Sequence, residues 1–60
     1  MKIAVDVYGG DHSPNEILKG AVDSLSVPGF ELVLFGKKNE MESILGTMTF
    51  DKDRIILIDP

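Results

Sequence analysis

Three short apolar runs punctuate the chain: KIAVDV at residues 2–7, FELVLF at 30–35 and RIILI at 54–58. Each is short and bounded by turn formers, which predicts a strand. The runs are continuous rather than alternating, as expected of strands covered on both faces in a parallel sheet. Between the first two, Ile17, Leu18, Ala21, Val22 and Leu25 recur at spacings of one, three and four. That is the single stripe of an amphipathic helix, with Lys19, Asp23 and Ser24 pointing away from it. Ser13 followed by Glu16 is a capping-box pattern, and Pro14 falls at the first helical position. Pro28-Gly29 marks the stop. The second connection repeats the scheme: Asn39 and Glu42 read as a cap, Met41, Ile44, Leu45 and Met48 as an apolar face, and Gly46 as the stop. Residues 47–53 read as a loop, with Met48 and Phe50 packing back onto the sheet edge.

The predicted order is β-α-β-α-β, an α/β fold. Parallel strands joined by right-handed crossovers lie side by side with both helices on one face, which is half of a doubly wound parallel sheet. Such a half leaves a face uncovered, so residues 1–60 are expected to be a piece of a larger domain or to need a partner that covers it. The length agrees: a chain of 60 residues buries only about 60% of its unfolded surface.

Composition narrows the function classes. The formal net charge of −4, with Lys37-Lys38 as the only adjacent basic pair, argues against a nucleic-acid partner, which calls for clustered cations. There are no cysteines and a single histidine, so neither a disulfide framework nor a zinc site is expected. The apolar stretch after Lys2 ends at Asp6, short of the roughly 7 to 15 residues of a signal-peptide core. Leu32–Phe35 and Ile55–Ile58 are far too short to span a membrane. The expectation is a soluble, cytoplasmic protein.

The stretch VDVYGGDHSPNEILKG, residues 5–20, concentrates the candidate chemistry. It lies at the carboxyl end of a strand, where open α/β sheets bind ligands. Gly9 and Gly10 let the backbone take positive φ and come close to a ligand. The helix starting near Ser13 turns its free N–H groups and its positive dipole end the same way, which suits an anion such as phosphate. The string is neither G-x-G-x-x-G nor the nucleotide P-loop, and a βα turn uses glycines for geometry alone as well. Asp6 either closes the loop, binds its amides, holds a metal or orients a neighbour. His12 beside Asp11 is either a loop hydrogen-bonding pair or an acid–base group that meets phosphate. Ser13 reads first as a cap. Tyr8 is expected to pack over the loop. A small phosphate- or nucleotide-binding module without catalysis is the alternative reading of these residues.

MKIAVDVYGGDHSPNEILKGAVDSL resembles the opening of the bacterial phosphate acyltransferases of phospholipid synthesis, the PlsX family, which begin with a strand of the type IAVDAMGGDHAP. Asp6, Gly9, Gly10, Asp11, His12 and Pro14 match in place. Val7-Tyr8 stands where the family has Ala-Met, and Ser13 where it has Ala. ELVLFGKKNEM continues the likeness. The resemblance implies an enzyme that moves a fatty acyl group from acyl carrier protein to inorganic phosphate. It also implies that the segment is part of a larger α/β/α sandwich related to phosphotransacetylases and isopropylmalate-type dehydrogenases, a homodimer, no nucleotide or other cofactor, and peripheral contact with the inner face of the cell membrane through a region outside this segment. The motif marks positions and not individual jobs. Given that reaction, the backbone N–H groups of Gly9, Gly10, Asp11, His12 and Ser13 suit the phosphate, and His12, Asp11 and Asp6 are the catalytic candidates, His12 to orient the phosphate or take a proton and Asp6 or Asp11 to hold His12.

Overall fold

A computed structural model describes residues 1–60. The chain forms β1 (Lys2–Asp6), α1 (Pro14–Ser24), β2 (Glu31–Phe35), α2 (Lys38–Leu45), a short 3-10 turn (Lys52–Arg54) and β3 (Ile55–Ile58). The strands make one parallel sheet in the order β1-β2-β3. Register sets Ile3 beside Leu32 and Leu32 beside Ile55, then Val5 beside Leu34 and Leu34 beside Leu57. This is the predicted β-α-β-α-β arrangement.

Alternation along the strands divides the sheet into two unequal faces. Leu32 and Leu34 are buried in one cluster with Leu18 and Leu25 of the first connection and Met41 and Leu45 of α2. Val5, Ile55 and Leu57 pack against that cluster, so both helices cover this one face. The other face carries Ala4, Val33, Phe35, Ile56 and Ile58, and no helix lies over it. The expectation of strands covered on both faces therefore holds for one face only, because each apolar run has just one helical layer to meet.

Element ends follow local chemistry with three differences from the sequence reading. α1 ends at Ser24, before Pro28-Gly29: the N–H groups of Leu25, Ser26 and Val27 bond back three residues, to Val22, Asp23 and Ser24, and tighten the chain out of the helix. Gly29, at φ 99°, then turns it into β2. α2 starts two residues earlier than an Asn39 cap implied. Lys37 is its N-cap position and contributes no side-chain bond. Asn39 is thus inside the helix and not its cap; the Lys38 N–H is met instead by the Asp59 carboxylate at 3.2 Å, from the far end of β3. Within 47–53 the chain is not wholly irregular, since Asp51 accepts the Asp53 N–H and opens the 3-10 turn. Met48 and Phe50 do pack against the core. No helix is long and apolar enough to cross a membrane.

Candidate anion site at the first strand-to-helix turn

The segment between β1 and α1 is built by a carboxylate and a hydroxyl. Asp6 Oδ1 accepts the Tyr8 N–H at 3.1 Å, and the Asp6 carbonyl accepts the Gly9 N–H at 3.4 Å. Together they fold the chain back over the end of the strand. Gly9 is required there by close approach: a Cβ at that position would sit 2.5 Å from Asp6 Oδ2. Neither Gly9 nor Gly10 takes positive φ, which is confined to Gly29, so the left-handed freedom these glycines allow is not used here. The Asp6 carboxylate holds the turn without a left-handed residue. Around Gly10 a Cβ would meet nothing.

Ser13 is the N-cap, and its Oγ accepts the Glu16 N–H at 3.3 Å. The box is half made, because the Glu16 carboxylate reaches His12 Nδ1 at 3.0 Å instead of returning to Ser13. His12 is therefore held by Glu16; neither Asp6 nor Asp11 bonds to it. Glu16 is four residues along from His12, a pairing distance on or entering a helix, so the spacing contained this partner although the sequence reading used Glu16 only for capping. Tyr8 N–H and Gly9 N–H are engaged, whereas the N–H groups of Gly10, Asp11, His12 and Ser13 donate to no acceptor in the chain. Those four lie together before the positive end of α1. Residues 9–13 are exposed, and none of them lines a surface concavity.

A concavity of about 540 Å³ does lie beside them, where the carboxyl ends of all three strands meet. Asp6 and Tyr8 reach it from β1, Gly36 and Lys37 from β2, and Asp59 from β3. Tyr8 packs on Gly36, where a methyl group would overlap its ring, so this glycine is a seat for the aromatic. The Lys37 ammonium stands 5.8 Å from the ring centroid, in cation–π range. The Tyr8 hydroxyl is buried without a hydrogen-bond partner. Its pKa is raised above the ordinary phenol value, first by burial and then by the Glu40 carboxylate, which is near yet short of hydrogen-bond geometry, with Asp59 adding repulsion.

With this geometry in view, comparisons with known proteins bear on the whole segment. The family described as "Fatty acid synthesis protein" matches residues 1–59. A protein from Dictyoglomus thermophilum named phosphate acyltransferase is 41% identical over 59 residues, 98% of this chain and 18% of the relative. A phosphate acyltransferase of Clostridium perfringens is 37% identical over 60 residues, 98% of this chain and 18% of the relative. One of Pediococcus pentosaceus is 50% identical over 42 residues, 68% of this chain and 12% of the relative. The chain thus spans less than a fifth of the length of these relatives. No solved structure matches it. The match runs from the first strand to the end of the third and takes in the turn built by Asp6 and Ser13, and on it the chain belongs to the family of fatty acid synthesis proteins.

Proposed function

We propose that this segment supplies the phosphate-holding turn of a phosphate acyltransferase, an enzyme that moves a fatty acyl group from acyl carrier protein to inorganic phosphate. One observation carries the reading: four adjacent N–H groups, Gly10 to Ser13, have no acceptor in the chain and stand at the positive end of α1. Gly10 strengthens it. Its φ is not positive and its surroundings are open, so nothing within the chain requires a glycine there, whereas close approach of an anion to the backbone would. The names of the relatives supply the reaction class.

In this reaction a phosphate oxygen attacks the thioester carbonyl, the C–S bond breaks and the acyl–oxygen bond forms. The hydroxyl proton of hydrogen phosphate ends on the departing thiol. Amides that fix the phosphate convert much of the encounter into orientation already secured. His12 takes up the phosphate proton and returns it to the sulfur. Asp6 shapes the turn, and Asp11 presents an exposed carboxylate beside the site. Acyl carrier protein is acidic and this chain carries −4, so its docking surface belongs to the remainder of the enzyme, as do the acyl groove, the homodimer contact and the membrane-facing region. The 60 residues alone are inactive in this reading.

Gly10→Ala in a full-length protein bearing this segment tests it. The melting temperature stays within about a degree, because a methyl group meets nothing in the chain, while the KM for phosphate rises about tenfold as backbone approach is blocked. An unchanged KM for phosphate would remove the turn from the phosphate site.

A further inference from the structure

We infer that Glu16 is a positioning residue for His12, holding the imidazole in the tautomer that leaves Nε2 bare toward the phosphate; the inference rests on the phosphate-site reading above. The Glu16 carboxylate is 3.0 Å from His12 Nδ1. A carboxylate only accepts, so the neutral ring carries its proton on Nδ1 and Nε2 keeps its lone pair. That is the form able to take a proton from hydrogen phosphate. Free in water, a neutral imidazole favours the opposite tautomer, with the proton on Nε2 and the lone pair on Nδ1, the nitrogen that here faces Glu16.

Two features of the turn point the same way. Ser13 Oγ holds the Glu16 N–H at 3.3 Å, which anchors the backbone of Glu16 in the first helical turn and aims its side chain back over the loop. In a complete capping box that side chain would bond the Ser13 N–H. Here it goes to His12, which both orients the ring and leaves the Ser13 N–H for the anion. A stabilising role accounts poorly for the pair. Its side chains are 71% and 68% exposed, and ion pairs that open to water contribute little to folding. The gain from the contact therefore lies in the orientation and proton location it imposes, as with the carboxylate that fixes the tautomer of a catalytic histidine.

The test uses a full-length protein bearing this segment, labelled with ¹⁵N in histidine, with Glu16→Ala and His12→Ala prepared beside the wild type. In the wild type, long-range ¹H–¹⁵N spectra at a pH where the ring is neutral show a protonated Nδ1 and a bare Nε2. In Glu16→Ala, which leaves no side-chain acceptor for Nδ1–H, the His12 signals move toward the Nε2-protonated pattern. Turnover falls about tenfold, with the KM for acyl carrier protein and the melting temperature unchanged. His12→Ala falls at least as far. An impaired His12→Ala beside a Glu16→Ala protein with wild-type tautomer and rate would overturn the inference alone. A fully active His12→Ala would overturn the place of His12 in the phosphate reading, and this inference with it.

Discussion

Tyr8 joins the two halves of the carboxyl edge. Its N–H is fixed by Asp6, its ring lies on Gly36, and its hydroxyl is enclosed near Glu40. Burial and two carboxylates favour the neutral phenol, so its folded pKa lies above the ordinary 10.0. A raised pKa means that the folded state holds the proton more tightly than the unfolded state. The stability gained is fully present below pH 10 and is lost as pH climbs through the folded value. Tyr8 is the only tyrosine and there is no tryptophan, so tyrosinate absorbance reports it cleanly. The folded chain is expected to ionise above 10.0 and the urea-unfolded chain near it. A folded midpoint at or below that value would mean that the hydroxyl is open to water. The sequence placed Tyr8 over the loop. It held no sign that Gly36, 28 residues along, would be the seat, because that contact exists only once β1 and β2 pair.

Arg54 shows the same limit at the level of elements. Its Nε donates to the Phe30 carbonyl at 3.1 Å, and its two terminal nitrogens donate to the carbonyls of Leu25 and Val27, each at 2.7 Å. The guanidinium also lies 5.3 Å from the Phe30 ring centroid. One side chain at the start of β3 thus satisfies carbonyls left over where α1 ends and ties them to the entry of β2. Arg54→Ala is expected to destabilise the fold by about 2 kcal/mol, and Arg54→Lys by most of that, since an ammonium cannot match three separated carbonyls at once. Urea titration measures both; a loss near zero for Arg54→Ala would show that water serves those carbonyls as well. Caps divide along the same line. Ser13 was legible because its acceptor serves an N–H three residues away. The carboxylate that meets the first amide of α2 was not, because Asp59 is 21 residues from Lys38 in the chain.

The molecule as a whole rests on few residues. Seven of 60 are buried, and Val7, Leu18, Leu34 and Met41 are the fully enclosed ones. Leu34 sits in the central strand between β1 and β3, with neighbours on both sides. Truncating it removes about 2–5 kcal/mol, comparable with the whole stability expected of so small a core. Leu34→Ala is therefore expected to abolish the cooperative thermal transition of the 60-residue chain. A sharp melt that survives would mean that the open face of Val33, Phe35, Ile56 and Ile58 contributes more than its exposure suggests, for instance by meeting another surface.

Spacing along the chain determined the element types, their order, the Ser13 cap and the helix stripes, since each depends on residues within a turn or two of one another. It also marked residues 9–13 as the exceptional stretch, because glycines, ionisable groups and a proline between a strand and a helix are visible one residue after the next. Only tertiary structure decided the rest. Strand pairing seated Tyr8 on Gly36, brought Asp59 to α2 and carried Arg54 to the end of α1. Within the turn itself, three-dimensional geometry gave Gly9 to the Asp6 carboxylate and His12 to Glu16. Sequence fixes which groups are near along the backbone; which donor meets which acceptor depends on directions that exist only after the sheet has formed.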